Sequence, residues 1–581
     1  MATWLVLLTI GIPWLGAGVV WLVGDRRARV QHVLACAFAA FAGATSLVLV
    51  TQAGALPVVS IPIGGIFGDL TFVPNGLGVF LAAVAAVVGC LAVVFSVDYM
   101  HGEEQLGRYY ALVLFFIGAM AGLVLSGSLL FMFFFWEITA FCSYALISFH
   151  NDNPAAVAGG VKALVMTQLG GIGLLAGALF AYVSFGTYEV DVFIARSAEL
   201  APTILTVVAF GFLIAAAAKS AQVPFHTWLP DAMEAPSPVT ALIHAATMVN
   251  AGVYLLARFY PAFAAVPGWR TTVVVVGLLS VLLAGWMALV ATDLKRSLAY
   301  STISQLGVMV YAVGVGAVFA SQFHLLSHAL FKALLFLAAG AVIHSVGTRD
   351  LRRMGGLGRT MPFVRTAFVI GFLGLAAIPI ANGFFSKELV LESGLSGGPL
   401  WGAVALLLGG GLTALYGLRL VDLTFSGPPR GEGGHDAGRA MRVSLTLLAF
   451  GTLTSWLLAG PMSQLLASTM PSQHLEPLTT VEVVLEIVAA PATWLAFVVT
   501  LLGLALWRWR QPLARLAAAL NPLAVWGQKG LGFDWFNGQV TRTTVASAEA
   551  LRRTQTGQLA WNVAGVLIGL LVVVLAMTVW G

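Results

Sequence analysis

Seven residues able to exchange a proton lie inside stretches that are otherwise almost wholly apolar. They are Glu137 in FMFFFWEITAFCSYALISF, Lys219 in FLIAAAAKSAQVPFHTWLPDAM, His244 in PVTALIHAATMVNAG, His324, His328 and Lys332 in FHLLSHALFKALLFLAAG, and Lys387 in IPIANGFFSKELVLE. An ionised side chain at bilayer depth costs about 2.5–3.5 kcal/mol on insertion scales, so such residues pair with one another or line a polar path. A buried glutamate either pairs with a cation or stays protonated, and Lys219 is the expected partner of Glu137; their separation then decides which of the two holds a proton. His324, His328 and Lys332 recur at spacing four, which places them on one helical stripe. Histidine titrates near neutral pH and a buried lysine releases a proton readily, so the stripe suits stepwise proton transfer.

Simpler readings stand beside this one. A single membrane histidine such as His244 serves equally well as an interhelical hydrogen-bonding group worth about 1 kcal/mol. Lys387, next to Glu388, could snorkel to an interface. The helical His-x-x-x-His pattern lacks the glutamate of a metalloprotease and a third ligand, so no zinc site is expected. Gly171-x-Gly173-x-x-Ala176 lies within a span and not between a strand and a helix, so no dinucleotide site is expected either. Cys36, Cys90 and Cys142 are isolated, with no spacing for a cluster or a disulfide framework.

The elements that hold these residues are membrane helices. Of 581 residues, 59% are hydrophobic and 9% charged, against roughly 25% charged in ordinary globular proteins. The net charge of +5 is scattered over short loops and forms no basic stripe for nucleic acid. Windows of about 20 apolar residues give about sixteen expected spans, near 2–23, 30–52, 76–98, 109–127, 129–149, 162–184, 203–221, 237–259, 271–291, 298–317, 321–344, 363–381, 400–425, 442–466, 487–508 and 558–580. The fold class is therefore an all-α polytopic membrane protein. Arg26, Arg27, Arg29, Arg108, Lys295, Arg296, Arg349, Arg352, Arg353, Arg359, Arg430 and Arg439 all follow odd-numbered spans. The positive-inside bias makes those loops cytoplasmic and both termini external, in the prokaryotic cytoplasmic (inner) membrane. Asp293, Lys295 and Arg296, at a span boundary, are read as topological anchors.

Two spans are interrupted. One run reaches Lys219 and then Pro224; another meets Pro379, Asn382 and Gly383 just before Lys387. Proline removes a backbone donor, and freed backbone at membrane depth survives only where protein or a wet cavity satisfies it. The breaks lie five spans apart, in spans of opposite direction, which is the pattern of an inverted-repeat transporter. The expected organisation is N-terminal spans in 1–108, a first five-helix repeat in 109–260, its inverted copy in 271–426, C-terminal spans in 442–508, an amphipathic lateral helix in 511–556 and a final anchoring span in 558–580.

The stretches QVPFHTWLPDAMEAPSPVTALIHAATMVNAGVYLLAR, DLKRSLAYSTISQLGVM, FHLLSHALFKALLFLAAGAVIH and GFFSKELV closely resemble the antiporter-like subunits shared by respiratory complex I, Mrp-type cation/proton antiporters and membrane-bound hydrogenases. The match spans about residues 70–425, and the tail LRRTQTGQLAWNVAGVLIGLLVVVLA resembles the large, subunit L type of NADH-quinone oxidoreductase. The resemblance implies that Glu137 and Lys219 form the switch pair and that His244, His328, Lys332 and Lys387 form the central relay. It also implies proton translocation within a hetero-oligomeric membrane complex in the bilayer, beside further antiporter-like subunits. NADH, flavin, iron–sulfur and quinone chemistry is expected only in those partner subunits, with no cofactor, metal or redox centre in this chain. The chain departs from the pattern at Gly171, where an acid is usual in the sixth span, at Asn75 in place of aspartate, and at the SKEL around Lys387. These features lean toward Mrp-type or hydrogenase-type relatives, and the end at 581 leans toward complex I. The reading favoured is a subunit of a complex I-like redox-driven pump. An Mrp-type antiporter subunit, a hydrogenase subunit, an energy-coupling subunit for solute uptake such as inorganic carbon, and a structural scaffold are the alternatives, with the choice between H+ and Na+ open.

Overall fold

The computed structural model describes residues 2–430, 434–512, 521–528 and 530–554. The expected span at 558–580 and part of the expected lateral helix lie outside the described residues. The chain forms two compact units, Met1–Ala524 and Val525–Gly581.

Among the described residues, fourteen helices are long and apolar enough to cross a membrane. They begin with α1 (Trp4–Val23), α2 (Ala28–Thr51), α3 (Gly76–Tyr99), α4 (Leu106–Leu125), α5 (Leu129–Ile147), α6 (Pro154–Phe185) and α7 (Pro202–Lys219). Then come α8 (Ser237–Arg258), α9 (Trp269–Val290), α10 (Leu294–Val315) and α11 (Val318–Val346). The expected twelfth span is two half-helices, α12 (Pro362–Leu375) and α13 (Asn382–Gly397). After α14 (Leu400–Phe425) and α15 (Arg439–Thr469), the expected span at 487–508 divides at Pro491 into α16 (Thr480–Ala489) and the spanning α17 (Pro491–Arg508). In the second unit, α18 (Phe533–Thr554) exposes Trp535, Phe536, Val540 and Val545.

Burial sorts the helices. Every residue in the most apolar stretch of α8 and of α10 is buried, against 33% of that stretch in α14 and 17% in α17. His244 lies on the fully enclosed α8, whereas Glu137 and Lys219 lie on α5 and α7, helices only about half buried in this chain. Neighbours follow one another as α4 on α5, α5 on α6 and α6 on α7, and again as α9 on α10, α10 on α11 and α11 on α12.

Hydropathy gives no hint of the one sheet found among the described residues. Strands β1 (Val59–Pro62) and β2 (Asp69–Phe72) pair antiparallel between α2 and α3, with Val59 opposite Phe72 and Pro62 opposite Asp69. Backbone bonds from Val73 to Leu125 and from Gly127 to Thr71, both 2.8 Å, stitch the hairpin onto the α4–α5 turn. Four residues per strand are too few for a periodic signal.

Close packing relies on missing side chains, as is usual where lipid offers no competing hydrophobic drive. Gly277 on α9 meets the Gly307 carbonyl on α10, so the two backbones touch. Gly383, at the start of α13, lies directly against the Gly374 carbonyl of α12. A methyl at 383 must push the half-helices apart, while Gly410 on α14 faces open space. Gly383→Ala is expected to destabilise the chain by at least about 1–3 kcal/mol, the usual cost of overpacking. Thermal unfolding of the detergent-solubilised protein checks this, with Gly410→Ala as the neutral comparison.

Candidate functional site: a buried polar axis

Lys219 is the last residue of α7 and is fully buried. Beyond it the chain turns through Ala221, at φ +50, and a cis Val223–Pro224 bond into the short helical segment 225–234. Several polar groups at this break find partners in the protein. Ser220 Oγ donates to the Val249 carbonyl at 2.6 Å, Val223 N donates to Ser280 Oγ at 3.0 Å, and Trp228 Nε1 donates to the Ala218 carbonyl at 3.0 Å. Gln222 Nε2 donates to the Ser220 carbonyl at 2.9 Å.

The Lys219 ammonium crosses to α5. It donates to the Trp136 carbonyl at 2.7 Å and sits 4.8 Å from the centre of the Trp136 ring. Glu137 is the next residue, and the two charges lie within electrostatic reach of each other. Glu137 opens onto a groove of ≈ 330 Å³ between α5 and α6, lined by Phe133, Val165, Gln168, Leu169, Ile172 and Leu175. Gln168 is its side-chain partner, and Oε1 has no hydrogen bond. A Cβ built at Gly171 lands on that oxygen. The departure at position 171 therefore removes a side chain that would face Glu137.

His244 lies in an irregularity that hydropathy does not reveal. Leu242–Ala246 is a π-turn within α8, ending at Thr247 with φ −125 and ψ −109. Thr247 Oγ1 donates to the Leu242 carbonyl at 2.7 Å, and Asn250 Nδ2 to the Ala245 carbonyl at 2.8 Å, satisfying the widened turn. Such turns recur at functional sites. The signal available in the sequence was the polar pair Thr247 and Asn250 shortly after a buried histidine. The His244 ring packs 5.3 Å from Phe336 and lies within electrostatic reach of Lys332 and Lys295.

On α11 the stripe is continuous. Lys332 donates to the Leu298 carbonyl at 3.0 Å and to Ser301 Oγ. His328 lies between Lys332 and His324, and it approaches the backbone of Ala245 without a hydrogen bond of good geometry. His324 pairs through Nε2 with Gln305 Oε1 at 3.2 Å and through Nδ1 with Ser386 Oγ at 3.0 Å. Tyr416 of α14 brings its hydroxyl beside Ser301 and Gln305.

Ser386 adjoins Lys387, on α13. The Lys387 ammonium donates to the carbonyl of Leu375, the last residue of α12, at 2.7 Å. It thus sits at the negative end of the half-helix dipole. Asn382 seals the same break, donating to the Ser327 carbonyl at 3.3 Å and to Ser455 Oγ at 2.9 Å. Lys387, Glu388, Gln305, Ser304 and Thr413 line a cavity of ≈ 50 Å³ beside Ala376 and Ala377, enough to admit ordered water, for which about 10–15 Å³ of such space suffices.

Lys295 behaves differently from a topological anchor. It is 4% exposed, and its ammonium donates to the Ala235 carbonyl at 2.7 Å. Asp293 and Arg296 do act at the boundary: Asp293 caps α10 and pairs with Arg349, and Arg296 pairs with Asp231. A charged residue at a span end reads the same in sequence whether it points outward or inward.

Buried ring nitrogens normally find a partner in protein or ordered water. Among the described residues, neither nitrogen of His244 or of His328 has a hydrogen-bond partner of good geometry. An experimental map that resolves water is expected to show ordered water at both rings; dry rings in such a map would contradict the reading of this axis as hydrated.

Two family models match the chain: NADH:quinone oxidoreductase/Mrp antiporter, TM, over residues 126–413, and NADH-Ubiquinone oxidoreductase (complex I), chain 5 N-terminus, over residues 61–110. NADH-quinone oxidoreductase subunit L of Pseudomonas aeruginosa is 38% identical over 474 residues, covering 80% of this chain and 76% of that protein. Na(+)/H(+) antiporter subunit A1 of Staphylococcus saprophyticus is 39% identical over 406 residues, covering 64% of this chain; the match spans 50% of that relative's length. The structure of the Mrp complex from Dietzia sp. DQ12-45-1b superposes with a TM-score of 0.84 at 28% identity, covering 99% of this chain and 63% of the matched one. The chain belongs to the NADH:quinone oxidoreductase/Mrp antiporter family of membrane proteins.

Proposed function

We propose that this chain is a proton-translocating subunit of a multi-subunit, complex I-like membrane assembly driven by redox chemistry in partner subunits. The observation that carries the reading is a series of proton-exchanging groups, the buried Lys219, His244, Lys332, His328 and His324 and the half-buried Lys387, with a lysine at each broken helix and the histidines on helices between them. Moving one charge against 100 mV requires about 2.3 kcal/mol, and no group in the series supplies it, so the energy enters from outside. In this reading NADH, flavin, iron–sulfur and quinone belong to the partners.

The geometry suits a relay with a switch at one end. Lys219 is held by a neutral carbonyl one residue from Glu137, not by the carboxylate itself. A small swing of the ammonium toward Glu137 exchanges a neutral partner for a charged one and alters how tightly Lys219 keeps its proton. Glu137 faces a groove bordered by the exposed apolar residues Phe134, Phe141, Val165, Leu169 and Ile172. That surface suits a neighbouring antiporter-like subunit whose own charges set the switch. At the other end Lys387 faces the small cavity and serves as the exit group.

The positive-inside bias puts the arginine-bearing loops in the cytoplasm, so protons would enter on that side and leave beyond Lys387. The division into inverted repeats, 109–260 and 271–426, is supported by the two breaks and the repeated order of helix neighbours. A second reading, a subunit of a cation/proton antiporter of Mrp type, is favoured by the superposition covering 99% of the chain. Lys219→Ala and Lys387→Ala are each expected to abolish proton movement in vesicles carrying the assembled complex; unchanged movement in both variants refutes the reading. Identifying the subunits that co-purify, and replacing sodium by choline during the assay, separates redox pumping from sodium-coupled antiport.

A further inference from the structure

The axis described above begins well inside the bundle, and none of its residues collects protons from solvent. A second group of titratable side chains lies at the end that carries the arginine-bearing loops. His344, in the last turn of α11, is exposed and stands 6.1 Å from the ring of exposed His435, with the planes at 79°. The two segments are tied together, since the His435 backbone donates to Ser345 Oγ at 2.6 Å and Ser345 Oγ donates back to the His435 carbonyl at 2.9 Å. Asp98 and Glu103 lie within electrostatic reach of His344. Asp98 is itself fixed, accepting from the Ala440 and Met441 amides at 2.8 and 3.1 Å at the start of α15. Histidines and carboxylates from three separate segments thus share one patch.

The patch has a polar step leading inward. Tyr99, the last residue of α3, packs its ring 5.3 Å from His344 and donates its hydroxyl to Ser237 Oγ at 3.2 Å. Ser237 is 1% exposed and is the first residue of α8, the helix that carries His244. His344 and Glu103 are exposed, Tyr99 is half-buried and Ser237 is enclosed. The Lys295 ammonium, bound to the Ala235 carbonyl two residues before Ser237, lies within electrostatic reach of His244. From Ser237 to His244 is seven residues of helix, about 10 Å at 1.5 Å per residue, and a proton covering that length requires ordered water between them.

We propose that His344, His435, Asp98 and Glu103 form a proton-collecting patch, and that the Tyr99 hydroxyl passes each proton to Ser237 and on toward His244. The inference rests on the proton-translocating reading above and adds the uptake site to it. In the transfer, Tyr99 gives its hydroxyl proton to Ser237 Oγ as Ser237 releases its own hydroxyl proton inward, and Tyr99 recovers a proton from the patch, so no net charge stays on either hydroxyl. Arg349 faces Tyr99 electrostatically and is itself held by Glu234 at 2.8 Å and Asp293 at 3.2 Å. Asp436, in the segment after His435, is engaged with the Phe363 and Val364 amides at 2.9 and 3.2 Å and with Arg442 at 3.8 Å.

The test uses the assembled complex in membrane vesicles and measures the initial rate of proton uptake at low and at high concentrations of mobile buffer. Tyr99→Phe keeps the ring against His344 and Phe95 and removes only the hydroxyl. It is expected to slow uptake several-fold at both buffer concentrations, with Ser237→Ala behaving alike. The double variant His344→Gln/His435→Gln is expected to slow uptake only at low buffer, because buffer then delivers protons in place of the patch. Parental rates in Tyr99→Phe and Ser237→Ala, with Lys219→Ala inactive, overturn this inference and leave the proposed function standing. An active Lys219→Ala together with an active Lys387→Ala overturns the proposed function itself.

Discussion

Water is absent from the hydrocarbon core, so each backbone group freed by a helix break must find its partner inside the protein. Much of the polar architecture answers that one demand. The first break is closed by Ser280, Trp228 and the Val249 carbonyl. The second is closed by Asn382, Ser455 and Lys387. A lysine stands at both, and both lysines serve as backbone partners in the structure. The residues that could carry a proton also hold the breaks in shape, so a change in their charge is felt by the fold around them.

The two breaks are not equivalent. Lys219 ends its half-helix and reaches a carbonyl on another helix, α5, beside Glu137. Lys387 lies in the second half-helix and reaches back to the end of its own partner, α12. A displacement of Lys219 therefore acts between helices, toward the groove at Glu137. A displacement of Lys387 acts within one broken span, at the small cavity lined by Gln305 and Glu388. In the reading proposed above, the same chemical group would serve in one place as a link to the outside of the chain and in the other as the exit group.

Much of this was legible in the sequence, because membrane burial makes polar residues conspicuous. Apolar windows located the helices, prolines and glycines located the breaks, and spacing four aligned His324, His328 and Lys332. Three features escaped for identifiable reasons. The hairpin at 59–72 is too short for periodicity. The π-turn at His244 differs from an α-turn by one residue, and only its compensating partners, Thr247 and Asn250, mark it. Lys295 was hidden by its position, since a cation at a span end satisfies the topology rule whichever way it points. The partners of the axis, Ser301, Gln305 and Tyr416, come from α10 and α14, far apart in sequence from the stripe they serve, and no local pattern announces such contacts.

The axis alternates between groups the protein satisfies and groups it leaves open. Lys332, His324 and Lys387 each have protein partners, whereas His244 and His328 have none of good geometry among the described residues. A row in which every nitrogen were fixed by protein would hold its protons in place, because each hydrogen bond would have to break before the next could form. A row without fixed points would have no preferred direction. Open rings between anchored ones let water make and release the connecting bonds, at a cost of about 0–2 kcal/mol for each water immobilised. In the relay reading proposed above, hydration at His244 and His328 would control conduction without moving a helix. The packing of His244 against Phe336, and of His328 against Phe331 at 5.6 Å, gives that hydration an apolar wall to work against.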